Sequence, residues 1–311
     1  MLEVSLVGTG GFMPLHNRYL TAMATRLNGK MILFDCGEGT QVTLRRLGWG
    51  FKDFEVICIT HFHADHIAGL PGLLLTIGNS GRTEMLTIVG PKHIREIVTK
   101  LCVIAPLPFE LDFVELKPAG GEVVEFSVKG FKLAALHLDH HITCLGYSLM
   151  VPRIGKFDAD KAKSLGLPLQ SWSKLQKGAT ISHEGVVYTP DMVLGPERKG
   201  IKISYMTDTR PTAFIPDFIR GSDLFICEGL YGDPEESSHT AEKKHMTFSE
   251  AAALAHDGEV AELWLTHFSP AMQAPGDFVG YAKAKFSNTK TGYDRLTKTL
   301  RFEDEPDEAG G

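Results

Sequence analysis

No apolar run in this chain approaches the ~20 residues of a membrane-spanning helix, so the sequence offers no helical membrane span. Cysteines are few. The five, Cys36, Cys58, Cys102, Cys144 and Cys227, are scattered, odd in number and never in a CxxC pair. That argues against a disulfide framework and for a reduced, cytoplasmic setting. Neither GxGxxG nor GxxxxGK[ST] occurs, so the common nucleotide-loop fingerprints are missing. Basic charge is also short: the net charge is −6, and a polyanion partner would need a local basic patch. The opening residues Met1-Leu-Glu-Val-Ser-Leu-Val7 lack the basic flank and cleavage site of a signal peptide and read as a strand. No internal repeat stands out. What remains is ordinary globular composition, 43% hydrophobic and 23% charged, over 311 residues. That length suffices for one elaborated domain or two.

Against that plain background one stretch is dense in chemistry: His61-Phe-His-Ala-Asp-His66. The apolar run Val56–Thr60 before it reads as a buried strand, and Ile67-Ala-Gly-Leu70 after it enters an apolar, helical stretch. Three imidazoles and a carboxylate therefore fall where a strand gives way to a helix. Neutral imidazole and carboxylate are transition-metal ligands, with zinc the usual guest. Packing alone rarely calls for four such groups, because each would need a buried partner. His61 and His63 can converge on one ion, and Asp65 and His66 can address a second. Further ligands must come from later in the chain.

The walk along the chain gives strands ending in polar residues. Glu3–Val7 leads to Gly8-Thr-Gly-Gly11, where glycines allow a tight turn, and a phosphate loop is the sharper alternative. Met31–Phe34 leads to Asp35, either an acceptor behind a metal-bound histidine or a turn residue. Thr40 or a neighbour is expected to cap a helix through Arg46 that Gly48 stops. Ile203–Met206 leads to Asp208, Asp223–Cys227 to Glu228, and Glu262–Leu265 to His267. Thr247-Phe-Ser-Glu250 is a capping box opening an alanine-rich helix. The recurrence of able side chains at strand ends, at 61, 208, 228 and 267, argues for one shared site. Asp208, with two oxygens, suits a bridge between two ions. His267 then completes a set with Asp65 and His66, and His140 completes one with His61 and His63.

Residues 152–202 differ in character, with nine Lys and Arg against five acids. They read either as a solvated insertion or as an arm that meets a polyanion. The acidic, glycine-ended tail from Glu303 is expected to be disordered.

HxHxDH is the first motif of the metallo-β-lactamase superfamily, and the chain resembles its ribonuclease Z branch, the tRNA 3′-processing endonucleases. The stretches LVGTGGFMPLHNR, ILFDCGEGTQ, THFHADHIAGLPGLL, HHITCLGY, TDTRP and LTHFSP occur in the family's order, from about residue 4 to 270. His140, not His141, has the family's spacing to Gly146; His141 and His137 read as polar neighbours. The resemblance implies a four-layer αββα sandwich, with two mixed sheets flanked by helices and metals at the strand ends along one edge. It implies a single domain over 1–311 with an exosite-like arm at about 152–202. It implies two Zn2+ per chain, or Mn2+ or another divalent ion, held by His61, His63, Asp65, His66, His140, Asp208 and His267. Asp65 would orient the nucleophile. Glu228 and His245 match a pair thought to assist proton transfer to the leaving group; without the resemblance His245 would read as a surface histidine near a helix start. The implied substrate is precursor tRNA, cut to leave a tRNA 3′-hydroxyl, by a cytoplasmic homodimer with no membrane association. The alternatives are a zinc phosphodiesterase acting on small or cyclic phosphodiesters and a non-catalytic tRNA-binding protein. Departures from the family pattern fall outside the ligands: Leu167-Pro-Leu-Gln-Ser-Trp172 lacks the arm's glycine and proline signature, and Thr207 and Ala271 replace the usual glycine and arginine.

Overall fold

A computed structural model of the chain describes all residues except 105, 233, 234, 236 and 304–311. Beyond Glu303 the tail expected to be disordered lies outside the described residues. The chain divides into two compact units. One is Met1–Met150 with Lys202–Arg301, and the other is Val151–Ile201 with the residues from Phe302 on.

The first sheet holds seven strands: β1 (Leu2–Gly8), β2 (Ala22–Leu27), β3 (Lys30–Phe34), β4 (Phe54–Cys58), β5 (Leu86–Pro91), β6 (Leu111–Leu116) and β16 (Thr297–Leu300). Their order is β16-β1-β2-β3-β4-β5-β6. The first four pair antiparallel, and β3 to β6 run parallel. The second sheet holds β7 (Val123–Val128), β8 (Phe131–Leu138), β9 (Cys144–Arg153), β12 (Arg198–Met206), β13 (Leu224–Glu228), β14 (Leu263–Thr266) and β15 (Thr289–Thr291). Its order is β15-β14-β13-β12-β9-β8-β7, with β12 to β15 parallel and β7 to β9 antiparallel. The central parallel strands β3, β4, β5, β13 and β14 are largely apolar runs of the sequence, as burial on both faces requires.

Within the first unit the sheets meet through aromatic side chains. Phe34 of β3 lies 5.9 Å from Tyr147 of β9 and 5.8 Å from Tyr205 of β12, ring centre to ring centre. The Tyr147 hydroxyl donates to the Ile59 carbonyl at 2.8 Å. Helices cover the outer faces. Leu44 of α1 (Thr40–Leu47), Leu73 and Ile77 of α3 (Leu70–Asn79) and Val98 of α4 (Ile94–Leu101) pack on the first sheet. Phe218 of α7 (Ile215–Ile219), Phe248 and Ala252 of α9 (Phe248–Asp257) and Ala282 of α10 (Val279–Lys283) pack on the second. The short α2 (Ala64–Ile67) carries half of the central motif, and α8 (Ser237–Lys243) precedes His245.

The second unit has a small core of its own. Ala162, Leu167, Leu175 and Val193 are buried against Phe157, Trp172, Ile181 and Tyr188. Asp158 caps α5 (Ala159–Ser164) by accepting from the Asp160 and Lys161 amides, and the Trp172 indole of α6 (Leu169–Gln176) donates to Leu167 O at 3.0 Å. The hairpin β10 (Ile181–His183) and β11 (Val186–Tyr188) completes it.

The α1 cap falls on the neighbour and not on Thr40 itself: Gly39 precedes the helix at φ 94°, the Thr40 hydroxyl turns back to Gly37 O, and Gly48 ends the helix as read. Gly8, Gly10 and Gly11 do not take positive φ. They are small because other groups come close: a Cβ on Gly8 would lie 1.8 Å from Leu20 O, and one on Gly11 would lie 2.7 Å from the His267 ring. The strand β2 was not legible, because Ala22-Met-Ala-Thr-Arg-Leu27 mixes small, polar and apolar residues without clear alternation. The capping box at Thr247 and Glu250 forms as read. Among the described residues no helix is long and apolar enough to cross a membrane.

Candidate metal centre

The C-terminal ends of β4, β12, β13 and β14 deliver the chemistry. Parallel register places Met206 beside Cys227 and Glu228 beside Thr266, so Asp208, Glu228 and His267 leave adjacent strands at one level. The backbone turns sharply there. Asp35, Asp208 and His267 have φ of 57°, 42° and 56°. Such left-handed conformations are strained for residues with a Cβ and recur at functional sites. In the central motif, His63 sits at the N-cap of α2, and Asp65 and His66 lie on its first turn.

These side chains form two clusters. His61 Nε2 and His140 Nε2 lie 3.0 and 3.3 Å from His63 Nδ1. His66 Nε2 and His267 Nε2 lie 3.2 Å apart, with Asp65 Oδ2 at 3.6 and 3.3 Å from them. Asp208 stands between the clusters with one oxygen toward each. Its Oδ2 is 3.5 Å from His61 Nε2 and 3.8 Å from His140 Nε2. Its Oδ1 is 3.1 Å from His66 Nε2 and 3.2 Å from His267 Nε2. All seven side chains named as ligands from the sequence thus meet at one place. His137 stands apart on β8, and His141 is exposed beside His140.

The donor set fits divalent cations on chemical grounds. His66 Nδ1 is 2.9 Å from Asp35 Oδ2, and a carboxylate only accepts, so Nδ1 carries the proton and Nε2 offers a lone pair. That lone pair faces a second imidazole nitrogen and a carboxylate oxygen. Asp208 Oδ1 is buried without a hydrogen-bond partner among the described residues. Ligating nitrogens and oxygens in each cluster lie within 4.8 Å of one another. Lone pairs gathered this closely repel one another unless a cation sits among them. The electrostatics agree. Burial works against charge on His66, yet Asp208 and Asp35 outweigh it and raise its pKa well above the ordinary value, so a proton would occupy Nε2 where a cation does not. Burial likewise opposes charge on Asp208, and His267, His66 and His61 hold its pKa well below the carboxylate range. The pocket stabilises positive charge where Nε2 points.

Supporting groups fix the orientations. Asp35 accepts from the Thr60 amide at 2.8 Å and from the Tyr205 hydroxyl at 3.1 Å, which places it as the acceptor behind His66 and not as a turn residue alone. His140 Nδ1 lies 3.2 Å from Lys244 O, and Lys244 Nζ holds Asp139 at 2.7 Å. The Phe12 amide donates to Asp65 Oδ2 at 2.7 Å. Sequence reasoning missed Tyr205, Lys244 and Phe12. Only the position of Tyr205 inside a strand read as buried hinted that its hydroxyl needs a partner.

Beside the clusters lies a carboxylate–imidazole pair. His245 is buried, not a surface residue, and its Nδ1 is 3.1 Å from Glu228 Oε2. Glu228 also accepts from the Thr209 amide at 2.6 Å, so its orientation is fixed. Burial would lower the His245 pKa, but Glu228 and then Asp208 raise it to about 9. Bound cations nearby would push it down again. Its Nε2 lies 4.0 Å from Asp208 Oδ2, at the edge of the first cluster. Arg210 pairs with Glu250 and donates to the His245 carbonyl, which fixes this loop.

A family model described as anti-Pycsar protein Apyc1 matches residues 2–197. A ribonuclease Z from Lachnospira eligens is 50% identical over 306 residues, covering 98% of this chain and 100% of its own. The short form of human tRNase Z gives a TM-score of 0.70 at 23% identity, covering 96% of this chain and 100% of that one. The metallo-β-lactamase fold protein YhfI from Bacillus subtilis gives 0.67 at 17% identity, covering 96% and 100%. At these identities the two structures speak for the fold alone, and they agree with the four-layer sandwich expected from the sequence.

Proposed function

Because the chain belongs to the ribonuclease Z family, and over residues 2–197 to the family described as anti-Pycsar protein Apyc1, we propose that it is a metal-dependent endoribonuclease that cuts precursor tRNA at its 3′ end. The observation that carries the hydrolytic reading is Asp208, buried, with one oxygen toward each histidine cluster. In this reading His61, His63 and His140 would hold one ion and Asp65, His66 and His267 a second, with Asp208 available to either. Zinc suits the donors best. When bound, such ions lower the pKa of water toward neutrality and screen the charge of a phosphodiester.

The chain's own groups do the rest. Asp65, its Oδ2 fixed by the Phe12 amide, orients the attacking water. His245 protonates the departing 3′ oxygen; the Glu228 carboxylate aims its ring and favours the charged form that this step needs. The products are a tRNA with a 3′-hydroxyl and a trailer with a 5′-phosphate. We read 1–311 as one domain whose segment 152–202 is a substrate-gripping arm, and the native protein as a cytoplasmic homodimer. A second reading, hydrolysis of small or cyclic phosphodiesters, draws on the arm's departure at Leu167–Trp172 from the family's glycine and proline pattern.

The test is incubation of purified protein with end-labelled precursor tRNA, with and without a chelator. A chelator-sensitive cut at the 3′ end of the tRNA supports the first reading. Hydrolysis of a cyclic nucleotide with the precursor left intact supports the second. Binding of tRNA without either would leave the non-catalytic alternative.

A further inference from the structure

One side chain beside the centre is half exposed and sits on a backbone conformation that disfavours it. Phe12 is 52% exposed, although it follows the buried glycine turn of residues 8–11. Its φ is 62°, the left-handed region that a bulky residue rarely adopts and a glycine adopts freely. The bond from its amide to Asp65 needs no side chain at all. The ring stands at the chemistry. Its centre is 5.8 Å from the His245 ring, edge to face at 76°, and 6.4 Å from the His267 ring. An exposed aromatic at a strained position, beside the group that would protonate a leaving oxygen, has the form of a stacking platform.

Building on the proposed endoribonuclease, we propose that Phe12 stacks against the base of the nucleotide whose 3′ oxygen departs. The assignment to that nucleotide follows from His245. The residue that meets the leaving oxygen is the one Phe12 touches edge-on, so the sugar and base bearing that oxygen pass over the ring. Stacking is tolerant of base identity, so Phe12 would place the scissile bond without selecting a sequence. The next residue, Met13, is exposed as well.

The test pairs enzyme variants with substrate analogues. Precursor tRNA is compared with the same RNA made abasic at the nucleotide 5′ to the cut, using wild type, Phe12→Leu, Phe12→Trp and Phe12→Gly. Removing the base should cost wild type about ten- to a hundredfold in kcat/KM. Phe12→Leu and Phe12→Gly should lose a similar factor on the normal RNA and almost nothing more on the abasic one. Phe12→Trp should retain activity, and its indole fluorescence should be quenched when the normal RNA binds. Phe12→Gly, relieved of the strained φ, should melt no lower than wild type, which separates a substrate role from a structural one. Equal losses on both RNAs, or no loss in Phe12→Leu, would overturn the inference while leaving the endoribonuclease intact. Failure of wild type to cut either RNA would remove the functional reading and this inference with it.

Discussion

Gly11 shows how little room the centre leaves around a single residue. A Cβ there would meet His267 Cε1 at 2.7 Å, so the imidazole must move. Displacing a catalytic group by about 1 Å can cost on the order of a hundredfold in rate. Gly11→Ala should therefore fold, keep tRNA affinity and lose roughly that factor in kcat, with reduced metal content by elemental analysis. The His245 pair makes a second prediction. Burial lowers its pKa and the Glu228 carboxylate raises it, so removing the charge leaves burial in command. Glu228→Gln keeps a hydrogen-bond acceptor but not the charge. The alkaline limb of its pH–kcat profile should move to lower pH, because the protonated imidazole is lost sooner. A limb that stays in place would exclude His245 as the acid. At this scale the sequence was most legible where chemistry is costly to bury. Three histidines and an aspartate in six residues are hard to house in a fold unless they hold a cation. His245 and Phe12 were illegible from composition, because a lone histidine or phenylalanine is ordinary until its neighbours are known.

Among the elements, strands that end in functional residues were readable, since parallel strands buried on both faces are short apolar runs and their exits are loops. The mixed strand β2 and the edge strand β16 were not. Neither carries a period that marks it, and β16 also pairs with a strand distant in sequence, as Leu2 beside Leu300 illustrates. Helix starts were readable at Thr247 and near Thr40, the first capped by a side chain and the second by a glycine. Thr247 accepts from the Glu250 amide while Glu250 accepts from Thr247. Thr247→Ala should thus destabilise the protein by about 1 kcal/mol in urea unfolding. Gly39, by contrast, caps α1 with no polar side chain to advertise it.

For the whole molecule, charge and metal make separate predictions. Lys174 and Lys177 are exposed on the second unit. If that unit grips RNA, reversing both to glutamate should raise KM for precursor tRNA and flatten its salt dependence, with hydrolysis of a small phosphodiester unchanged. Chelation should lower the melting temperature as well as abolish activity, because ions that bind only the folded chain stabilise it by mass action. The placement of Asp208 between the two clusters carries a further consequence for how the protein matures. His61, His63, Asp65 and His66 follow a strand of one sheet, whereas Asp208 and His267 follow strands of the other. A nascent chain that has not yet emerged past His267 cannot dock one half of the cage against the other. Any metal the site takes up would have to wait until both sheets have left the ribosome, and a chain terminated ahead of Asp208 would lack the carboxylate that stands between the two clusters.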